Sequence, residues 1–214
     1  IITIILLIGT TKAGMIYEGG DPGDFDFYLF VEQWIYSFCD TQSCLPGKER
    51  EAFTIHGLWP NNNDGSYPSF CKGQPFDVDE IADIEPQLDT IWPSLTGPNP
   101  DFWAHEWSKH GTCSITGPLA DLHDYFFATV HIYQTYNITG GLAQFNILPS
   151  DNATYSAPSV VDALSKQFGV TPLIQCTGNR LVTVAFCLTK DLKLMSCPAL
   201  NGWSCSGNVI LPAT

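Results

Sequence analysis

Eight cysteines in a chain of 214 residues limit the fold more than any other feature. An even count of this size points to an oxidising compartment, in which all eight can close into four disulfides. The chain is therefore expected to be a crosslinked, extracytoplasmic globular protein. Counting alone leaves roughly a hundred pairings open, although Cys39 and Cys44 bracket a short loop and can pair locally. Two N-glycosylation sequons, at Asn137 and Asn152, fit the same route. The opening run Ile1-Ile2-Thr3-Ile4-Ile5-Leu6-Leu7-Ile8 is apolar without alternation and gives way to small and polar residues. Residues 1–13 are expected to be the tail of a secretory signal lacking its Met and basic start, with Thr11-Lys12-Ala13 as cleavage context. The alternative is a buried first strand. No other stretch is long and apolar enough to span a bilayer. A soluble mature protein is expected, secreted or held in a vacuolar or lysosomal lumen.

The folded part is expected over residues 21–214. Phe25, Phe27, Leu29 and Val31 alternate up to Trp34, the period of a strand, and Phe53 to Trp59 reads as a second. A Pro/Asn/Gly-rich loop follows from Pro60 to Pro68. A short helix is expected from Asp77, another with Pro86 in its first turn, and longer ones over 118–136 and 156–168, the last closed by Gly169. The final third reads as β, with strands over 181–188, 192–197 and 209–211. No repeat or linker is visible. The pattern is that of one α+β domain.

The stretch Phe102-Trp103-Ala104-His105-Glu106-Trp107-Ser108-Lys109-His110-Gly111-Thr112-Cys113 carries the chemistry. On a helix, Phe102, His105, Glu106, Lys109 and His110 fall within an arc of roughly 140°. Trp103 and Trp107 lie beyond its edge and can bury the helix. Gly111 allows the helix to stop, and Cys113 can fasten its end. An ordinary surface helix would explain Glu106 paired with Lys109 or His110. It does not explain two imidazoles, a carboxylate, an ammonium and a ring on one face of a chain only 14% charged. A zinc site is the rival, with His56 as a third ligand. However, the two helix histidines are five apart, where the zinc-protease spacing is four, and Lys109 between them repels a cation.

Phe53-Thr54-Ile55-His56-Gly57-Leu58-Trp59-Pro60 and the His105 to Cys113 segment together resemble the two active-site signatures of the T2 family of acid ribonucleases. The resemblance runs from about Phe25 to the C-terminus. It implies an α+β fold with a central antiparallel sheet flanked by helices, and no cofactor or metal. It also implies endonucleolytic cleavage of single-stranded RNA to a 2′,3′-cyclic phosphate and then a 3′-phosphate, with His110 as general base and His56 as general acid. Lys109 and His105 would meet the phosphate, and Glu106 would orient a neighbour or act as a neutral donor. The resemblance further pairs Cys39 with Cys44, Cys71 with Cys113, Cys176 with Cys205 and Cys187 with Cys197.

Base stacking on aromatic rings is the sequence-tolerant way to hold single-stranded RNA. By the resemblance, Trp59 and Tyr67 match the base site on the 5′ side of the cut, and Phe102 with Gln33 the site on the other side. Two departures matter. Asn61 stands where some family members carry a base-reading Asp, and Ile35 follows Gln33-Trp34 where Pro is usual. His123 and His131 match no catalytic position. With 9 Lys plus Arg against 22 Asp plus Glu, the charge of -13 excludes broad basic binding of nucleic acid but not a small cationic cleft. Self-incompatibility members of the family tend to be basic, so the charge favours a digestive, nutrient-recycling or defence enzyme. RNA is the expected partner, DNA and membranes are not, and a monomer is expected. The competing reading is a catalytically silent binding or defence protein on the same scaffold.

Overall fold

In the computed structural model, which describes residues 16–214, one antiparallel sheet positions everything else. The elements run β1 (Ile16–Glu18), β2 (Phe27–Trp34), α1 (Ile35–Cys39), β3 (Phe53–Asn61), β4 (Tyr67–Ser69), α2 (Glu85–Ile91), α3 (Asn99–Lys109), α4 (Leu122–Thr135) and α5 (Ile138–Ala143). Then follow β5 (Tyr155–Ser156), α6 (Ala157–Phe168), β6 (Leu173–Thr177), β7 (Arg180–Leu188), β8 (Leu194–Met195) and β9 (Asn208–Val209). The central sheet has the order β3-β2-β7-β6, with β8 added to β7, and every pairing in it is antiparallel. The α+β fold with a central antiparallel sheet, expected from the sequence, is the fold observed.

β2 is the spine of that sheet, and all eight of its residues are buried. Tyr28 and Phe30 face the helices, packing in one cluster with Trp92, Trp103, Trp107 and Phe126. Phe27, Leu29 and Val31 face the other way and are covered by Trp59, Leu200 and Trp203. The apolar alternation therefore marks only one of two buried faces. A second core joins Trp34 and Phe53 to α5, α6 and β7.

Several boundaries differ from the sequence expectations. β1 begins ahead of Asp21 and pairs parallel to β4, so part of the folded chain precedes the expected start. The signal expectation for residues 1–13 falls outside the described residues. α4 starts at Leu122 and not at Pro118, because the Asp121 side chain accepts from the Asp124 N–H at 2.9 Å and caps it there. At Asp77 the cap forms, but only a four-residue 3-10 turn follows. β8 is two residues long where six were expected. α6 runs as expected, capped by Ser156 and ended by Gly169 at φ 77°. The disulfides join Cys39–Cys44, Cys71–Cys113, Cys176–Cys205 and Cys187–Cys197. Among the described residues, no helix is long and apolar enough to cross a membrane.

Candidate active site

The site begins with an irregularity in β3. Val31 pairs with Gly57 and Glu32 with Ile55, so His56 is the extra residue of a β-bulge. A bulge re-aims a side chain that strict alternation would send to the wrong face. Here it keeps Ile55 and Leu58 in the helix-side core while His56 lines the cleft with its side chain one-third exposed. Neighbouring rings receive the carbonyls around the bulge: Trp92 Nε1 donates to His56 O at 2.9 Å, and Tyr125 Oη donates to Leu58 O at 2.9 Å.

α3 supplies the opposite wall. Pro100 sits in its first turn with Asp101, and Lys109 in its last, as the helix dipole favours. Trp103 and Trp107 are buried, and each indole N–H is pinned to a carbonyl at 2.8 Å, Trp92 O and Gln74 O respectively. His110 is the residue that ends the helix, and Gly111 opens a 3-10 turn to Cys113. Gly111 was expected to let the helix stop. Its backbone is not left-handed; what requires glycine is space, since a Cβ there would lie 2.2 Å from Trp107 Cε3.

The two walls meet at Trp59. Its ring centroid lies 5.0 Å from that of His56, edge-on, and 5.1 Å from that of His110, stacked. Its Nε1 donates to Glu106 Oε2 at 2.8 Å, while Oε1 lies 4.0 Å from His56 Nε2. Glu106 therefore turns across to β3 and not along its own helix. Gly57 leaves room for this contact: a Cβ there would sit 2.2 Å from Glu106 Oε2 and 2.3 Å from Trp59 Nε1.

A cavity of about 450 Å³ opens between the walls, lined by His56, Trp59, Asn61, Tyr67, Phe102, His105, Glu106, Lys109 and His110. Nine of the ten catalytic and base-binding residues expected from the sequence thus line one cavity. The tenth, Gln33, lies in two smaller pockets that adjoin His56. Asn61 is nearly buried and its Oδ1 accepts from the Asn62 N–H at 2.9 Å. Leu29, Asp64, Gly65, Leu200, Asn201 and Trp203 complete the lining and were not identified from the sequence. His123 and His131 lie elsewhere, on α4, the former against Asp83 at 3.1 Å. Among the described residues, no three or more His, Cys, Asp or Glu are grouped to hold a metal ion.

Burial dominates the titration of the cleft. It pushes Glu106 up to about 8, against the smaller opposing effects of the Trp59 hydrogen bond and Lys109. Burial, with the charges of Lys109 and His105, lowers His56 to about 4. The same three influences, with His56 added, hold His110 well below the usual histidine range. Burial thus favours the neutral acid form of Glu106 and the neutral base form of His110.

Residues 25–197 match the model of the ribonuclease T2 family. The chain belongs to that family. It is 56% identical over 216 residues to ribonuclease DdI of Dictyostelium discoideum, spanning 100% of this chain and 97% of that one. The extracellular ribonuclease LE of Solanum lycopersicum is 38% identical, spanning 98% of this chain and 95% of its own. RNase NT, solved in complex with 5′-AMP, matches with a TM-score of 0.80 and 34% identity over 88% of this chain and 98% of that one. This ribonuclease T2 family member is thus an endoribonuclease of the T2 type, and its expected catalytic residues converge on one cleft.

Proposed function

We propose that the chain cleaves single-stranded RNA without metal, with His110 as general base and His56 as general acid. One observation carries the assignment: both imidazoles flank a single indole and line one cavity with Lys109 and His105. His110 takes the proton of the 2′-hydroxyl, whose oxygen attacks the adjacent phosphorus. Lys109 and His105 balance the charge that develops on the phosphorane oxygens. His56 gives its proton to the departing 5′-oxygen, leaving a 2′,3′-cyclic phosphate that water opens to a 3′-phosphate in the reverse proton sequence.

The depressed pKa of His56 fits this role once substrate is present. Burial is the largest cause of that depression, and the charges of Lys109 and His105 add to it. A bound phosphate offsets those charges, so binding itself favours the protonated imidazole that the leaving group needs. Glu106, through its contacts with Trp59 and His56, positions both walls. Trp59 and Tyr67 are proposed to flank the base 5′ of the cut, and Phe102 with Gln33 the base 3′ of it. Asn61 holds no carboxylate and reads the 5′ base through an amide.

The enzyme is proposed to act outside the cytosol, as a monomer. Four disulfides, exposed Asn137 and Asn152 sequons, and the similarity to a relative named as extracellular support secretion or delivery to an acidic lumen. The test is cleavage of a single-stranded oligonucleotide near pH 5 in EDTA, beside its 2′-deoxy counterpart. Cyclic phosphate ends from the ribo strand alone are expected. Loss of activity in EDTA would return the metal reading, and an inert, correctly crosslinked protein would return the binding-protein reading.

A further inference from the structure

The loop between Cys197 and Cys205 enters the cleft without any part in the chemistry above. It is fastened at both ends, by Cys187–Cys197 to β7 and by Cys176–Cys205 to β6. In its middle, Gln175 Nε2 donates to Gly202 O at 3.2 Å, and Gly202 itself is left-handed at φ 85°. A loop held at three points presents its side chains in fixed places. One of them is Trp203, half-buried against the Leu29 and Val31 face of the sheet.

Trp203 lines the catalytic cavity and also a second pocket of about 190 Å³ that opens on the far side of His56 and Trp59. Gln33, Gln175 and Thr183 supply the polar groups of this second pocket. Gln33 is 3% exposed, and its Oε1 has no hydrogen-bond partner among the described residues. That amide serves the base immediately 3′ of the cut, whereas the half-buried Trp203 indole, with Gln175 and Thr183 in the same pocket, offers the flat apolar platform on which a further nucleobase stacks. The pocket reaches the site 3′ of the cut through shared residues, because Gln33, Phe38 and His56 also line the pocket that holds Phe102.

We infer that Trp203 is the stacking platform of a further subsite, which takes the second nucleotide downstream of the scissile phosphate. The inference rests on the ribonuclease reading of the cleft. It makes the cleft recognise a run of at least three nucleotides, with the outermost held by the doubly fastened loop.

The experiment compares kcat/KM for a dinucleoside monophosphate with that for the same molecule extended by one nucleotide at its 3′ end. Cleavage of the dinucleotide by the unaltered enzyme tests the ribonuclease reading separately. Trp203→Leu, which keeps apolar volume but no ring, is expected to lower the ratio of trinucleotide to dinucleotide kcat/KM by roughly 5- to 150-fold. Trp203→Phe should keep most of that ratio, and matched thermal midpoints verify that both variants fold. An unchanged ratio in Trp203→Leu, whether or not both rates fall, overturns the subsite. So does a loss seen only when the added nucleotide lies at the 5′ end.

Discussion

Replacing Gly57 with alanine should damage both stability and turnover, although Gly57 touches no substrate atom in the proposed mechanism. The new methyl carbon would lie 2.2 Å from Glu106 Oε2 and 2.3 Å from Trp59 Nε1, well inside contact distance. Glu106 is 2% exposed and Trp59 is stacked on His110, so neither retreats freely. Whichever yields, the 2.8 Å hydrogen bond between them breaks or the indole that supports His110 shifts. Overpacking a buried position costs about 1–3 kcal/mol. The lost bond to a buried carboxyl belongs to the same event and is not added again. At roughly 2–4 °C per kcal/mol for a chain of this size, the thermal midpoint should fall by about 2–12 °C. Displacing a catalytic ring by about 1 Å costs on the order of 100-fold in rate. Thermal unfolding and kcat/KM on a dinucleoside monophosphate measure the two losses separately. Adding Trp59→Phe removes the indole nitrogen and should recover part of the stability loss. A Gly57→Ala enzyme with near-wild-type kcat/KM and an unmoved midpoint would refute the reasoning.

Further consequences concern the same walls. Glu106, raised from 4.5 to about 8, contributes stability that is full below 4.5 and lost as pH rises through about 8. His56, lowered from 6.5 to about 4, contributes stability present above 6.5 and lost as pH falls through about 4. The two offset each other between about 4.5 and 6.5, so the decline above 6.5 belongs to Glu106 together with Glu32, whose carboxyl burial also raises. Urea midpoints from about pH 6.5 to 8 should therefore fall less steeply in Glu106→Gln; an unchanged decline would rule out burial of Glu106 as one of its sources. Replacing both Cys71 and Cys113 by alanine opens a loop of sequence separation 42 and should cost about 4 kcal/mol, read from the denaturant midpoint. Turnover per folded molecule should fall too, because this link ties the chain after β4 to the end of α3; unchanged turnover contradicts that. Gly111→Ala pushes a methyl to 2.2 Å from buried Trp107 and should cost about 1–3 kcal/mol with reduced turnover, read by thermal unfolding and dinucleotide assay. A fully stable, active variant would contradict it.

What the sequence disclosed follows the physics of each element. α3 was legible because its candidate site residues recur at helical spacing beside two tryptophans that bury the helix. α6 was legible because Ser156 and Gly169 cap it. α5 was not, since Ile138–Ala143 holds two glycines in six residues and is fixed by packing in the second core and not by propensity. α1 continues directly from β2 with strand-like apolar residues, Ile35 to Cys39, and no turn residue announces the change. The helix part of the proposed catalytic set was legible because unlike ionisable types crowd one helix face. The bulge at His56 was hidden because it depends on the register of β3 against β2, which no local pattern records. Trp203 and Leu200 were hidden for a related reason: disulfides and sheet order bring them to the cleft from far along the chain.

In the proposed mechanism proton transfer is divided between His56 and His110. An RNA dinucleotide whose bridging 5′-oxygen is replaced by sulfur tests it most directly, because a thiolate leaves without being protonated. On the ordinary substrate, His56→Ala and His110→Ala should each lose about 100- to 10,000-fold in kcat/KM. On the sulfur substrate His56→Ala should recover to near the parent rate while His110→Ala stays impaired. A His56→Ala enzyme that remains equally impaired on both substrates, or a rescued His110→Ala, would contradict the assignment.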